Sequence, residues 1–505
     1  MNKLLQEFQK ADLEVQTRRH FLNTCTTGLG FMALNSLLGC SDSQKMASQK
    51  LSVDPTAGGT ALNSLSEPMA VRPTHFPAKA KRVIYIHMAG APSQLELFDY
   101  KPELIKYNGV DCPAEFLDGK KFAFIQGVPK MLGPIYDFKQ HGQSGAWVSE
   151  LLPHIASVSD ELTFVKSMYT DQFNHAPAQL FMHTGSPRLG RPSMGAWTVY
   201  GLGTENQNLP GFIVLASGGK SPDAGKSVWG SGFIPSVYQG VQCRTGGDPV
   251  LYVSDPAGIS RDDRKNTIDA ITEINKQHYE EMHDPEILAR IEQYEMAFKM
   301  QVSVPEVMDI KKEPQSILDM YGADPNKGSF ANNCLLARRL VEEGVRFVQL
   351  FHWGWDTHGT DAELSLNDGF KTRCRETDQP VAALINDLKQ RGLLDETLIV
   401  WGGEFGRTPM QENRDGVVNP FKGRDHHVDA FTVFMAGGGF KKGYTHGETD
   451  PLGYYATKDK VHVHDLQATI LNQLGLDHTK LTYPFQGRNF RLTDVHGKVI
   501  KKMLA

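Results

Sequence analysis

The stretch that decides the fold is VRFVQLFHWGWDTHGT, from Val345 to Thr360. Its first half is an apolar-rich run, typical of a strand buried on both faces of a parallel sheet. Its second half places Asp356 and His358 two residues apart, directly after the strand ends. Side chains at such positions of an extended segment share a face, so both can reach one ion. The stretch therefore predicts a parallel sheet with a polar site at its carboxyl edge, where such sheets bind ligands.

The same pattern of a buried strand closed by glycine recurs along the chain, and helix-like segments lie between the strands. This alternation predicts an α/β fold with a mainly parallel central sheet flanked by helices. Residues 261 to about 320 are highly charged and carry isoleucines at helical spacing, which predicts a helical insertion. The predicted strands are RVIYIHMAG (82–90), GFIVLASGG (211–219), TLIVWGG (397–403) and AFTVFMAGGG (430–439).

Composition narrows the class of protein. The 505 residues are 40% hydrophobic and 22% charged, as in a soluble globular protein with room for a large core. The formal charge of −5 gives no indication of a nucleic-acid partner. The six cysteines form no CxxC pair, which argues against a zinc ribbon or a disulfide scaffold.

The sequence of the first 78 residues predicts an export signal followed by a tether. TRRHFLN (17–23) resembles the twin-arginine export signal, and LLGC resembles a lipoprotein box whose Cys40 is acylated. Plain cleavage and an uncleaved anchor are the alternatives. Residues 41–78 are rich in Ser, Ala, Pro, Gly and Lys, which predicts a flexible tether to a domain spanning 79–505. We therefore expect an exported protein, either periplasmic or attached to a membrane through a lipid anchor at Cys40.

Polar residues with metal-binding chemistry occur beside three of the predicted strands. WDTHG follows VRFVQLF, EFGRTP follows TLIVWGG, and GRDHHVD precedes AFTVFMAGGG. A single such motif is more often a hydrogen-bonded loop, but three at one sheet edge favour a metal site. Imidazole with carboxylate suits zinc, manganese or iron better than calcium or magnesium. The candidate ligands are Asp356, His358, Glu404, Asp425, His426 and His427, with the choice between the last two histidines left open.

These motifs also carry a resemblance. TLIVWGGEFG, GRDHHVDAFTVFMAGGG and VHVHDLQATILNQLG are similar to the C-terminal half of the alkaline phosphatase and sulfatase superfamily. NHAPAQLFMHTG (174–185) resembles the sulfatase signature. Over nearly all of residues 79–500 the chain resembles the bacterial family catalogued as domain of unknown function 1501, with WDTHG, GEFGRTP and GRDHH among its hallmarks. The resemblance implies an alkaline phosphatase-like fold, but that family has no settled activity.

The departures from the superfamily bear on function. The first strand ends in Ala89 and Gly90 where the superfamily has a metal-binding Asp, so one of two metal sites looks depleted. His175 fills the nucleophile position and Phe405 replaces a ligand neighbour of Glu404. His175 is then a metal ligand, a general acid or base, a phosphate-accepting nucleophile, or a packed relic.

Two functions follow as expectations. The first is a metal-dependent hydrolase of sulfate or phosphate esters, with extracellular polysaccharide as a candidate substrate and ion-activated water as the nucleophile. His175, Asn174 and Arg407 are the candidate catalytic residues. Arg407 is predicted to hold the anionic group, and Arg424 is a second candidate for that contact. The second is an exported pseudo-enzyme that binds an anionic glycan or a protein partner without turnover.

Overall fold

The computed structural model describes residues 68–218, 220–244, 258–282, 284–414 and 416–505, all within the compact unit Asn63–Ala505. The predicted signal and Cys40 lie outside the described residues. In the part of the chain that is described, no helix is both long and apolar enough to cross a membrane.

Nine strands of the described residues form one sheet. They are β1 (Arg82–Ala89), β2 (Leu162–Tyr169), β3 (Phe212–Ser217), β4 (Val241–Cys243), β5 (Phe347–Trp353), β6 (Thr397–Gly402), β7 (Phe431–Ala436), β8 (Tyr444–His446) and β9 (Val461–His462). Their order is β8-β2-β7-β6-β1-β5-β3-β4, and β9 also pairs with β2. Every pairing is parallel except the two made by β7, so the predicted mainly parallel sheet is confirmed.

Helices cover both faces of the sheet. In chain order they are α1 (Gln94–Leu97), α2 (Pro102–Lys106), α3 (Pro153–Ser157), α4 (His175–Thr184), α5 (Met194–Leu202), α6 (Arg261–Met282), α7 (Pro285–Met308), α8 (Gln315–Tyr321), α9 (Phe330–Glu342), α10 (Gly369–Gln390) and α11 (Val463–Gln473). Strand β1 shows why its sequence is continuously apolar. Ile84 and Ile86 pack into one core with α9 and α10, whereas Val83 and Tyr85 pack into the other with α4, α5 and α11.

The segment predicted as an insertion is helical. Helices α6 and α7 pack against each other, and α8 follows them. Met300 and Val304 of α7 are buried in the core that α9 and α10 share with the sheet. The charged composition of the segment reflects the outer surface of this pair.

Residues 68–78 correct the predicted tether. Arg72 donates from Nη1 to Tyr200 O at 2.7 Å, and His75 N donates to Gly475 O at 2.9 Å. Met69 is buried. These residues therefore belong to the domain and are not part of a flexible tether reaching to 78. Composition misled here because backbone hydrogen bonds and one guanidinium, not apolar periodicity, hold the segment. The rest of the predicted tether, 41–67, lies outside the described residues.

The reversed direction of β7 brings the polar motifs together. A segment that precedes an antiparallel strand lies at the same edge as segments that follow parallel strands. His426–His427, just before β7, pairs with Gly406–Arg407, just after β6, in a two-residue antiparallel ribbon. The edge at which β1, β5 and β6 end therefore also receives the residues that precede β7.

Candidate metal centre

Four side chains converge at this edge. His175 is the first residue of α4, Asp356 and His358 follow β5, and His426 precedes β7. One nitrogen or oxygen from each lies within 4.8 Å of the others. The predicted proximity of Asp356, His358 and one histidine of the pair is confirmed, and His175 faces the same cleft. We call these four residues the metal cluster.

The cluster is centred on one oxygen. Asp356 Oδ1 lies 2.8 Å from His358 Nε2, 3.1 Å from His175 Nε2 and 3.3 Å from His426 Nε2. The Nε2 atoms of His358 and His426 are 3.1 Å apart. All three imidazoles therefore present the same ring nitrogen to a common point.

The opposite nitrogen of each ring fixes this orientation. Each Nδ1 faces an atom that can only accept a hydrogen bond: His175 faces Glu404 Oε1 at 2.7 Å, His426 faces Phe173 O at 2.7 Å, and His358 faces a carboxylate oxygen of Glu412. Each Nδ1 then carries a proton, so that whenever the ring is neutral its Nε2 lone pair is directed into the cluster. Histidines that bind metals show this same outer hydrogen bond.

The donor set fits a divalent ion. The Nε2 atoms of His358 and His426, 3.1 Å apart, repel each other unless a proton or a metal ion lies between them. The buried Nε2 of His175 lies 3.1 Å from Asp356 Oδ1 but outside hydrogen-bond geometry, and it has no hydrogen-bond partner among the described residues. Three imidazole nitrogens with one carboxylate oxygen match the preferences of zinc, manganese or iron.

Electrostatics supports a charged Asp356 at the centre. Burial alone would raise its pKa, but Arg407 and the three histidines outweigh burial and hold the pKa well below its ordinary value. Burial lowers the pKa of His426 to about 3, against the pull of Asp356, so that ring is neutral. For His175 the carboxylates of Asp356 and Glu404 overcome burial and raise the pKa to about 9. A proton and a metal ion therefore compete for His175 Nε2.

The structure corrects the first of the two predicted anion contacts, the one assigned to Arg407. Its side chain is fully buried, and its guanidinium donates to Ala91 O at 3.0 Å, Arg424 O at 3.0 Å and Asp356 Oδ1 at 2.6 Å, with a further contact to Gly90 O. Its donors are thus directed at three backbone carbonyl oxygens and at the carboxylate of Asp356, not at an open cleft.

The structure also corrects the second predicted anion contact, the one assigned to Arg424. It is also fully buried, and its Nη2 donates to Glu96 Oε1 at 2.6 Å. Its other donors reach Leu132 O at 3.0 Å and Thr408 O at 3.2 Å. Arg424 therefore has a structural role inside the domain.

Glu404 lies behind His175 and outside the metal cluster. Its Oε1 accepts from Gly90 N at 3.0 Å, His175 Nδ1 at 2.7 Å and Gln179 Nε2 at 3.2 Å, and its Oε2 lies 3.2 Å from His87 Nε2. Burial would raise the pKa of Glu404, but the two histidines hold it well below its ordinary value. The structure therefore replaces the predicted ligand role of Glu404 with that of an orienting acceptor for His175.

Asp425 is likewise engaged elsewhere. Its Oδ2 accepts from Phe124 N at 2.8 Å and Ile125 N at 2.9 Å, and its Oδ1 accepts from His426 N at 2.7 Å. It can be grouped with His358 and Glu412 but is not a member of the metal cluster. These bonds attach the 124–125 loop to the site.

His427 points away from the cluster, with its Nε2 against Tyr454 O. Adjacent residues of an extended ribbon face opposite sides, so only His426 of the pair reaches the site. Of the two histidines that the sequence left open, only His426 lies at the cluster in the described structure. Asn174 is exposed and precedes α4, without a side-chain hydrogen bond to the helix.

Four residues around the cluster were not identified as site residues from the sequence. Glu412 gave no signal, and His87 was visible only as a polar residue within a buried strand. Phe405 packs on His175 and His426 with ring centroids 4.9 and 4.6 Å away, and Phe124 meets His358 edge-on at 4.9 Å. These two aromatic rings hold the imidazole planes in place.

Comparison with known proteins gives a family and distant structural likenesses. Residues 80–504 match the family described as Protein of unknown function (DUF1501). None of the curated proteins matches the chain.

Three solved structures illustrate the likenesses. The lipoteichoic acid synthase LtaP from Listeria monocytogenes is 12% identical with a TM-score of 0.36, over 85% of this chain and 79% of that one. The PsFucS1 sulfatase from Pseudoalteromonas sp. is 12% identical with a TM-score of 0.34, over 82% and 74%. The alkaline phosphatase from the Antarctic bacterium TAB5 is 10% identical with a TM-score of 0.33, over 78% and 98%. TM-scores this low carry no argument about the site.

Proposed function

Since this chain belongs to the DUF1501 family, whose description assigns no activity, we propose from its site that it is a metal-dependent hydrolase of sulfate or phosphate esters. The observation that carries the proposal is the convergence of three histidine Nε2 atoms on Asp356 Oδ1. We assign the ion to His175, Asp356, His358 and His426. Zinc, manganese and iron are the candidate ions.

The cluster is open on one side, as a catalytic metal site requires. The side chains of Asp356 and His175 are 27% and 13% exposed, whereas those of His358 and His426 are 4% exposed. A bound divalent ion would supply a Lewis acid for the ester oxygen and lower the pKa of a water molecule. Substrate would approach from the side of Asp356 and His175.

The protein residues have distinct parts in this proposal. Glu404 keeps the Nε2 of His175 directed at the cluster, and Arg407 keeps Asp356 ionised. The amino end of α4 lies at the cleft, and its partial positive charge favours an anionic group. His175 stands where a sulfatase nucleophile would stand, so we propose direct attack by water without a covalent intermediate. An ester on extracellular polysaccharide remains the proposed substrate class.

One observation favours the alternative, binding of an anionic glycan or a protein partner without turnover. Arg407 is the cation nearest to Asp356, and its donors are committed to carbonyl oxygens and to Asp356 itself. A hydrolase of anionic esters usually offers a free donor to the transferred group. Turnover assays decide between the two functions.

The test is metal analysis of the purified chain, followed by assays with a panel of aryl sulfates and phosphates. We expect zinc, manganese or iron to copurify and to be needed for hydrolysis. His426→Gln should abolish both metal binding and turnover, whereas the matched His427→Gln should keep metal binding. Metal binding without turnover of any ester would favour the alternative function. A chain that binds none of these ions would overturn both the metal site and the hydrolase.

We further propose export through the twin-arginine motif and lipid attachment at Cys40, on the basis of TRRHFLN and LLGC. Two acyl chains on one residue are enough for stable anchoring. Mass spectrometry of the mature amino terminus tests this directly. An unmodified terminus elsewhere, or a Cys40→Ala protein that still fractionates with membranes, would contradict the anchor and leave a periplasmic protein.

A further inference from the structure

We propose that the chain binds a single metal ion and that the buried guanidinium of Arg407 supplies the second positive charge of the site. The inference rests on the proposed function and adds the stoichiometry and a role for Arg407. It is drawn from the hydrogen bonds made by each carboxylate near the metal cluster.

Among the described residues, His358, Glu412 and Asp425 form a second group of side chains that could hold an ion. Glu404 is not a member of this group: its Oε1 accepts from Gly90 N, His175 and Gln179, and its Oε2 lies 3.2 Å from His87 Nε2 without a hydrogen bond. Asp425 accepts three backbone N–H groups. Glu412 contacts His358 Nδ1 and accepts from Arg414 Nε at 2.7 Å and Asn419 Nδ2 at 3.2 Å. Both oxygens of Glu412 and both oxygens of Asp425 are therefore engaged, so this second group has no free carboxylate oxygen for a second ion.

Arg407 lies in a cradle built for a cation. The turn after β1 directs the carbonyl oxygens of Gly90 and Ala91 at its guanidinium, and Arg424 O accepts from its Nη1. The turn is unusual because Ala91, which is not a glycine, has a φ of 61°. A left-handed conformation at alanine is held only when its surroundings fix it. Here Ala91 O accepts from Arg407, Ala91 N donates to Met88 O at 3.3 Å, and the Ala91 side chain packs against Phe405.

The same guanidinium is bound to the central oxygen of the cluster. Arg407 Nη2 donates to Asp356 Oδ1 at 2.6 Å, and the Arg407 side chain is fully buried. In such surroundings the repulsion between a fixed guanidinium and a divalent ion is strong. Arg407 therefore shares Asp356 Oδ1 with the three histidines, and its charge opposes that of an ion bound there.

The primary experiment measures metal stoichiometry. Full-length protein is stripped with a chelator, saturated with zinc, desalted, and analysed by elemental mass spectrometry and native mass spectrometry. We expect one zinc per chain. Two per chain would overturn this inference and leave the proposed hydrolase standing, whereas none would overturn both.

Two variants test the role of the positive charge on Arg407. Arg407→Gln removes the guanidinium, and we expect the zinc dissociation constant, measured by calorimetric competition, to fall at least tenfold. Arg338→Gln is the control, because Arg338 is also buried and pairs with Glu313 and Asp387 outside the cluster. It should leave zinc affinity unchanged. Unchanged or weaker zinc binding in Arg407→Gln would overturn the role of Arg407 as the second positive charge. If that variant shows no cooperative thermal transition, the wild-type stoichiometry decides the inference alone.

Discussion

Gly90 lies directly against the backbone of Asp356. A Cβ on residue 90 would lie 2.5 Å from Asp356 N and 2.9 Å from Trp355 C. The φ of Gly90 is +108°, a conformation that residues with side chains rarely adopt. Because β1 and β5 are parallel neighbours, this contact connects the turn after one strand to the loop after the other. The position of the central ligand thus depends on the absence of a side chain at residue 90.

Gly90→Ala should therefore destabilise the domain and weaken metal binding. We expect a loss of more than about 2 kcal/mol in the free energy of unfolding, since backbone clash adds to conformational strain. The measurement is urea denaturation, with zinc affinity as a second readout. Gly190→Ala is the control, because Gly190 has a similar φ of +91° but no atom within 4 Å of a Cβ. Equal losses in the free energy of unfolding of the two variants would show that the contact with Asp356 adds nothing to the cost of the substitution.

Removing the ion should lower thermal stability. A ligand bound only by the folded state stabilises it by about 2.7 kcal/mol at a hundred times its dissociation constant. We expect the melting temperature to fall on chelation and to recover when zinc is restored. In Asp356→Asn the central carboxylate is lost, so zinc should no longer shift the transition. A zinc-dependent shift of wild-type size in that variant would place the ion somewhere else.

Glu404→Gln should weaken zinc binding by about 10- to 100-fold, the usual effect of removing a carboxylate that orients a metal-binding histidine. The variant retains the size of the side chain but removes the negative charge behind His175. Glu376→Gln is a matched control, because Glu376 pairs with His352 at 3.1 Å outside the cluster. Calorimetric titration of stripped protein gives both affinities. Comparable affinities for the two variants would mean that Glu404 does not orient a ligand.

His183 should make the stability of the metal-free domain depend on pH. Its ring is buried, Gln349 Nε2 donates to its Nδ1 at 3.1 Å, and burial, reinforced by the charge of His87, lowers its pKa well below 6.5. Below about pH 6.5 the unfolded chain therefore binds a proton that the folded chain does not. The free energy of unfolding then decreases as the pH is lowered, by up to about 1.4 kcal/mol per pH unit.

The measurement is urea unfolding of stripped protein at pH 7, 6 and 5. In His183→Gln the decline between pH 6 and pH 5 should be shallower than in the wild type, because one buried neutral histidine has been removed. Identical slopes would show that His183 is protonated without cost in the folded state.

The strands and their polar endings could be predicted from sequence because local composition determines both. Apolar runs closed by glycine fixed β1, β3, β5, β6 and β7, and the Asp356–His358 spacing indicated a shared face. The direction of β7 was not visible in its own residues. Yet only the antiparallel direction places His426 at the same edge as Asp356.

The roles of the individual charged residues could not be read from sequence, because they depend on partners distant along the chain. The sequence predicts an anion-binding residue at Arg407, whereas in the fold its guanidinium donates to Gly90 O, Ala91 O and Asp356 Oδ1. For a similar reason the sequence did not show that Glu404, predicted as a ligand, faces His175 Nδ1, or that His175 Nε2 faces Asp356. Which of two neighbouring groups faces the cluster depends on the packing of α4 against the end of β6, and sequence spacing carries no information about that distance.

The path of residues 68–81 has a practical consequence. Lys81 N donates to Glu396 O directly before β1 begins, and Asp356 follows the opposite end of the neighbouring strand β5. The eight residues of β1 span about 26 Å at about 3.3 Å each. A label, tag or solid support attached ahead of residue 68 therefore joins the domain at the face opposite the cleft. Immobilised protein prepared in this way should keep its opening free for large, polymeric or particulate ligands.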